Sequence, residues 1–161
     1  MRTPEHVIAF LRERGLPGRI HRFAQGTPSV HAAAHAAGVS AEQVLKSLLF
    51  LIDGQPVLVV LRGPGRVDYK ALARHFQVPR KRVRMAGPEE VLHWTGYPVG
   101  AVPPVGLAHP IPVIIDPAVL DVAVVWAGGG AVDALLEIPT QALLEATQAQ
   151  LVAVQKQEPK P

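Results

Sequence analysis

Lys46 is the residue most out of keeping with its surroundings. It stands second in Leu45-Lys46-Ser47-Leu48-Leu49-Phe50-Leu51-Ile52, a largely apolar run that reads as a buried strand. A lysine at the mouth of such a strand either snorkels its ammonium to water or holds it in a cleft. In a cleft, the desolvated ammonium would polarise a carbonyl or bind a phosphate, with its pKa lowered by its surroundings. A second candidate is Thr95-Gly96-Tyr97-Pro98-Val99-Gly100-Ala101-Val102-Pro103-Pro104. Proline fixes the backbone and glycine permits positive φ, so a ligand can lie against main-chain amides here. The same composition also suits a rigid loop without a ligand. Third, Gly128-Gly129-Gly130 follows an apolar run and could cradle an anion, but it lacks the lysine and Ser/Thr of a P-loop and the spacing of a dinucleotide fingerprint.

Other candidates are weaker in kind. His31 and His35 share a helix face at i, i+4, the spacing of a two-histidine metal site, but no glutamate lies between them and no third ligand is evident. No metal or other cofactor is expected. Ser29 and Ser47 lack a nucleophile-elbow motif and any nearby Asp-His pairing, so a serine hydrolase requires the fold to bring histidine and aspartate from afar.

The elements that must position these residues are legible from caps, turns and periodicity. Thr3 caps a helix beginning at Pro4 and closed by Gly15, with Val7, Ile8 and Leu11 as its apolar residues. Ile20 and Phe23 belong to a short strand. Thr27-Pro28 starts an alanine-rich helix ending at Gly38, and Ser40 with Gln43 makes a capping box for one further turn. Asp53-Gly54 predicts a hairpin joining the lysine-bearing strand to a partner over Pro56 to Leu61. Asp68 caps a helix with Leu72 and Phe76, a strand covers Val83 to Met85, and Pro88 opens a helix ending near Gly96. The stretch from Gly96 to Pro112 holds five prolines and three glycines, and a loop this long in a compact domain is usually functional. Strands over Val113 to Ile115 and Val122 to Ala127 flank an Asp116-Pro117 turn. A strand over Leu135 to Ile138, a helix capped by Thr140 and an edge strand over Leu151 to Val154 complete the pattern. Hairpins dominate over regular strand-helix alternation, so the expected fold is α+β, one domain with a mixed, mainly antiparallel sheet flanked by helices. Leu48, Phe50, Val57, Val59, Val113, Ile115, Val122 and Val124 are expected in its core.

The chain has 161 residues, which suits one domain, here expected over 1–154 with a polar tail over 155–161. It has no cysteine, excluding a disulfide scaffold, a thiol nucleophile and a cysteine-ligated metal. No apolar run is long enough to span a membrane and the first residues lack a signal-peptide core, so a soluble cytoplasmic protein is expected. The net charge of +3 decides nothing about partners, but its distribution is informative. Lys70, Arg74, Arg80, Lys81, Arg82 and Arg84 cluster near one another, and such a patch suits either a phosphate backbone or a solvated face.

Phe23, the helix ending at Gly38-Val39, the segment Val44 to Phe50, and Thr95-Gly96-Tyr97-Pro98-Val99-Gly100 with Pro104 together resemble the YbaK/ProX family. These are free-standing aminoacyl-tRNA deacylases related to the editing domain of bacterial prolyl-tRNA synthetase. The resemblance implies an α+β fold and hydrolysis of a wrongly attached amino acid from tRNA, often proline tRNA. Aminoacyl-tRNA is the implied partner, with prolyl-tRNA synthetase a further one. By position, Lys46 matches the family's essential lysine and Gly100 the first glycine of its pocket loop, and both are implied to be catalytic. Phe23, Ser29, Thr95, Gly96, Tyr97, Ala101, Val102, Gly128, Gly129 and Asp133 are the implied substrate-binding residues, and the basic cluster the tRNA-binding ones. Two positions depart from the pattern: Ala101 replaces a glycine and Pro103 a serine. A methyl at Ala101 is expected to narrow the pocket or to stop the substrate approaching the backbone. Two other classes stay open, a tRNA- or synthetase-binding module without hydrolysis and an unrelated hydrolase using Ser29 or Ser47 with a histidine.

Overall fold

The computed structural model describes residues 1–27 and 29–157. Helix α1 (Pro4–Glu13) starts from Thr3 with proline in its first turn, and buries Val7 and Leu11. Strand β1 (Arg19–Arg22) follows and stops one residue short of Phe23. Helix α2 (Val30–Ala37) begins later than Thr27-Pro28 suggested. Ser29 is its cap, its hydroxyl oxygen accepting from the Ala32 N–H, while Pro28 lies outside the described residues.

Strands β2 (Leu45–Ile52) and β3 (Gln55–Arg62) form the expected hairpin. Asp53 and Gly54 both take positive φ, 49° and 82°, the backbone of a two-residue turn whose twist matches its strands. Helix α3 (Tyr69–Phe76), capped by Asp68, leads to β4 (Val83–Met85), which pairs with the far end of β2. Helix α4 (Pro88–Thr95) ends at Gly96 in the left-handed region, and the proline-rich loop runs from there to β5 (Val113–Ile115). The chain closes with β6 (Val124–Gly128), β7 (Ala134–Pro139), α5 (Thr140–Thr147) and β8 (Gln150–Leu151).

The strands form a five-stranded sheet, β4-β2-β3-β5-β8, and a three-stranded one, β1-β7-β6. Among the described residues, one parallel bridge between Val44 and Trp126 joins them. The pairings of β3 with β5 and of β5 with β8 are parallel and the others antiparallel, so the α+β class with a mixed, mainly antiparallel arrangement holds. One core fills the space between the sheets and another lies under α3. The pleat of β2 divides between them: Leu45 and Leu49 enter the first, Phe50 and Ile52 the second.

Some expectations need correction. Phe50, Val57, Val59, Val113 and Ile115 are buried, but Leu48, Val122 and Val124 are only half-buried. The Asp116-Pro117 turn does not join neighbouring strands. It opens a 3-10 turn over Pro117–Asp121, after which the chain crosses to the other sheet. The reason lies in the buried Asp116 carboxylate, which accepts N–H groups from Ala118, Val154 and Gln155 and so ties the turn to the C-terminal segment. Thr140 is not a cap but the first residue of α5, and its hydroxyl donates to the Val122 carbonyl at 2.6 Å. Packing also continues past Val154. Gln155 bridges to Val67, and the Lys156 N–H donates to Arg66.

Candidate functional site

Along its outer edge β2 is covered by β4 only at Phe50–Ile52. The Leu49 carbonyl takes the Ala86 N–H on that edge, and since alternate residues of a strand direct their main-chain groups to the same side, the Ser47 N–H and carbonyl also face outward. No strand pairs with them. Beside this uncovered stretch lies a cleft of about 340 Å³, bounded by β2, the start of α2, the end of β6 and the loop after α4.

Five of the residues expected from sequence meet on its wall: Lys46, Gly100, Ser29, Val102 and Gly128. The Lys46 ammonium donates to the Gly65 carbonyl at 2.6 Å, so it is held rather than left to wander in solvent. Burial lowers its pKa, and the nearby charge of Arg66 lowers it further. Gly100 is exposed at φ 86°, a backbone that other residues rarely adopt, with open space where a side chain would stand. The Ala101 N–H closes a turn onto Pro98. The Val99, Gly100 and Val102 N–H groups have no such partner among the described residues, and all three residues line the cleft.

The other expected substrate-binding residues support the loop or lie elsewhere. Thr95 is buried, its hydroxyl donating to Val91 and accepting from the Tyr97 N–H. Tyr97, also fully buried, donates its hydroxyl to the Gly106 carbonyl at 2.8 Å. Gly96 accepts the Arg2 N–H, and a side chain there would strike Arg2. Ala101 is buried off the cleft wall, so its methyl does not narrow the cleft. Phe23 packs with the small cluster beneath α2. Asp133 forms an ion pair with Arg22 at 2.9 Å, away from the cleft lining.

The glycine triplet does not cradle an anion through its last two amides. The Gly129 N–H donates to Ala134 and the Gly130 N–H to Ala101, so both are already satisfied. Their work is to bring β6 against the loop: a side chain at Gly128 would lie 2.3 Å from the Val102 carbonyl oxygen.

Sequence reasoning missed much of the apolar lining, including Val30, Ala33, Val44, Leu45, Val99 and Leu135, together with Thr27 and Leu48. The signal available was the alanine run of α2, whose small side chains let it sit close over Trp126 and Leu135. Ser47 also lines the cleft. Its hydroxyl is buried without a hydrogen-bond partner, and no histidine lines the cleft among the described residues. The cleft lining thus offers Ser29 and Ser47 no histidine base among the described residues.

The basic cluster divides into two parts. Arg84 makes a bidentate pair with Glu90, whose carboxyl the Arg84 hydrogen bonds and the Gly87 N–H hold at about 2. Arg82 lies 3.8 Å from Asp53, and the Arg80 guanidinium lies over the Tyr69 ring. Lys70 and Arg74 stand exposed one turn apart on α3, and Lys81 is exposed on the turn before β4.

A fold of this order around this cleft is that of a tRNA editing module. The chain belongs to the aminoacyl-tRNA editing domain family, whose profile matches residues 24–146. It is 32% identical over 127 residues to the uncharacterized protein YwhH of Bacillus subtilis (strain 168), covering 78% of this chain and 79% of YwhH. It is 38% identical over 84 residues to the proline–tRNA ligase of Nitratidesulfovibrio vulgaris (strain DP4), covering half of this chain but only 14% of the ligase. Among solved structures, a candidate trans-editing enzyme for prolyl tRNA synthetase superposes with a TM-score of 0.88 at 32% identity, over 98% of this chain and 99% of that one. The hypothetical protein APE2540 gives 0.87 at 36% identity, over 94% and 99%. No helix among the described residues is long and apolar enough to cross a membrane.

Proposed function

We propose that this chain is a trans-editing hydrolase that cleaves the ester of mischarged aminoacyl-tRNA, with proline tRNA carrying a wrong small amino acid as its substrate. The observation that carries this reading is the convergence of Lys46 and the Gly100 loop on one largely apolar cleft. Editing exists because a synthetase pocket separates amino acids differing by a methylene by only about 1–3 kcal/mol, so a second hydrolytic sieve is needed. An aminoacyl ester is already activated. Its hydrolysis needs chiefly a positioned water and stabilisation of the tetrahedral oxyanion, for which preorganised amides and one ammonium suffice.

The unpaired Gly100 and Val102 N–H groups are the oxyanion donors in this scheme, and the Lys46 ammonium holds the 3′-terminal nucleotide or the ester carbonyl. The water oxygen bonds to the ester carbon, the bond from that carbon to the ribose oxygen breaks, and the ribose oxygen takes a proton, releasing amino acid and tRNA. No histidine or carboxylate lines the cleft among the described residues, so the neighbouring ribose hydroxyl relays that proton. The likeness to proline–tRNA ligases and to a candidate trans-editing enzyme supports proline tRNA, and prolyl-tRNA synthetase as a second partner. Cytoplasmic translation is the setting this requires.

The test is a panel of Ala-, Cys-, Ser- and Pro-charged tRNAs incubated with the protein. A small mischarged amino acid should be released fastest, from proline tRNA. If every ester stays intact while the tRNA is bound, the chain is instead a non-catalytic tRNA-binding module.

A further inference from the structure

Arg66 was not among the cations singled out from sequence, yet it stands next to the residue that holds the Lys46 ammonium. It follows Gly65, whose carbonyl takes the Lys46 ammonium, and its charge is near enough to act on that ammonium. The backbone at Arg66 is anchored. Its carbonyl accepts the Lys156 N–H at 2.7 Å, Val67 bridges to Gln155, and the Asp68 N–H donates to Val154. Its side chain is exposed. Neither Arg66 nor Lys46 has a carboxylate partner among the described ion pairs.

Two cations on anchored backbone near each other, with no carboxylate partner among the described residues, repel each other until an anion enters between them. The direction in which they continue identifies the anion. After Arg66 the chain enters α3, where Lys70 and Arg74 are exposed at i, i+4, about 6 Å apart along the axis. Arg66 followed by two exposed cations one turn apart on the next helix fits a chain of phosphates rather than a single small acid.

We propose that Arg66, together with Lys46, clamps the phosphate linking the last two nucleotides of the substrate at the mouth of the cleft, and that Lys70 and Arg74 take the phosphates preceding it. This rests on the editing reading and assigns to it a residue that positions the 3′ end. An arginine suits the task because its planar fork grips two phosphate oxygens at once. With the phosphate held there, the oxyanion falls to the Gly100 and Val102 amides.

The test compares Arg66→Gln with the unmodified protein on two substrates carrying the amino acid that the panel releases fastest. One is aminoacyl-adenosine, which has no phosphate, and the other is the aminoacylated dinucleotide cytidylyl-adenosine. A charge-assisted contact predicts a loss of about 10–100-fold in kcat/KM on the dinucleotide. On aminoacyl-adenosine the change should stay within about two-fold, and Arg66→Lys should recover only part of the loss. Equal losses on both substrates, or none on the dinucleotide, would overturn the clamp. A parallel arm measures binding of uncharged cytidylyl-adenosine and of adenosine. If the unmodified protein hydrolyses neither ester yet binds the dinucleotide in an Arg66-dependent way, the editing reading fails and the clamp stands. If Arg66→Gln leaves the preference for dinucleotide over adenosine unchanged, the clamp fails.

Discussion

Replacing Lys46 with methionine removes the ammonium while keeping most of the stem, so it separates charge from packing. The structural cost should be small. Among the described residues the ammonium makes one hydrogen bond, to the Gly65 carbonyl, and such a bond to a charged group contributes about 1.5–3 kcal/mol. Here burial opposes the charge, as the lowered pKa records, so a net loss of about 1 kcal/mol is expected. For a chain of this length that corresponds to about 2–4 °C in the melting midpoint. The catalytic cost should be far larger, about 10²–10³ in rate, the usual consequence of removing one preorganised electrostatic donor. Lys46→Arg should restore little, because a planar guanidinium does not reproduce a compact ammonium. The pH dependence follows from the direction of the shift. The folded protein gives up the Lys46 proton below the ordinary lysine value of about 10.4, so ammonium-dependent activity should fall on the alkaline side before that pH. Because burial disfavours the charged form relative to the neutral one, stability should rise as pH climbs through the folded-state pKa towards the ordinary lysine value. The assay is single-turnover deacylation of the substrate released fastest in the panel, with thermal unfolding alongside. Full activity in Lys46→Met would refute the mechanism, and inactivity matched by unfolding would return Lys46 to a structural role.

Asp116→Ala should destabilise the fold by about 3 kcal/mol or more, since three main-chain N–H groups lose a carboxylate acceptor, and urea unfolding measures this. It should also reduce deacylation, because the C-terminal segment that Asp116 secures holds residues 66–68 behind Lys46's acceptor. Gly128→Ala forces a methyl into the Val102 carbonyl and should cost about 1–3 kcal/mol, with a fall in kcat/KM as the loop shifts. An unchanged melting midpoint and rate would show that the loop gives way freely. Charge reversal at Lys70 or Arg74 should weaken tRNA binding and reduce the slope of log affinity against log salt by about 0.7–0.9 for each lost contact. Reversal at Arg84, already paired with Glu90, should change that slope less.

The local chemistry of the chain was enough to place most elements. Asp53-Gly54 dictates a tight hairpin, proline and glycine mark the ends of α4, and the apolar run of Leu45 to Ile52 reads as a buried strand. These are short-range effects, decided by φ preferences and by which face a side chain must present. Lys46 stood out for the same reason, as a charge placed where its neighbours demand burial. Which strand lies beside which was not local. The sequence offers no sign that β5 and β6 belong to different sheets, because that division depends on Asp116 meeting the N–H groups of Val154 and Gln155, nearly forty residues away. The same holds for the site. Tyr97 and Thr95 lie in the most conspicuous motif yet face inward as struts, whereas Val30 and Leu135 reach the cleft through packing that no spacing announces. Sequence determines which backbone each segment prefers. Only the tertiary structure decides which edges stay unpaired and which cations stand together, since those follow from contacts between residues far apart in the chain.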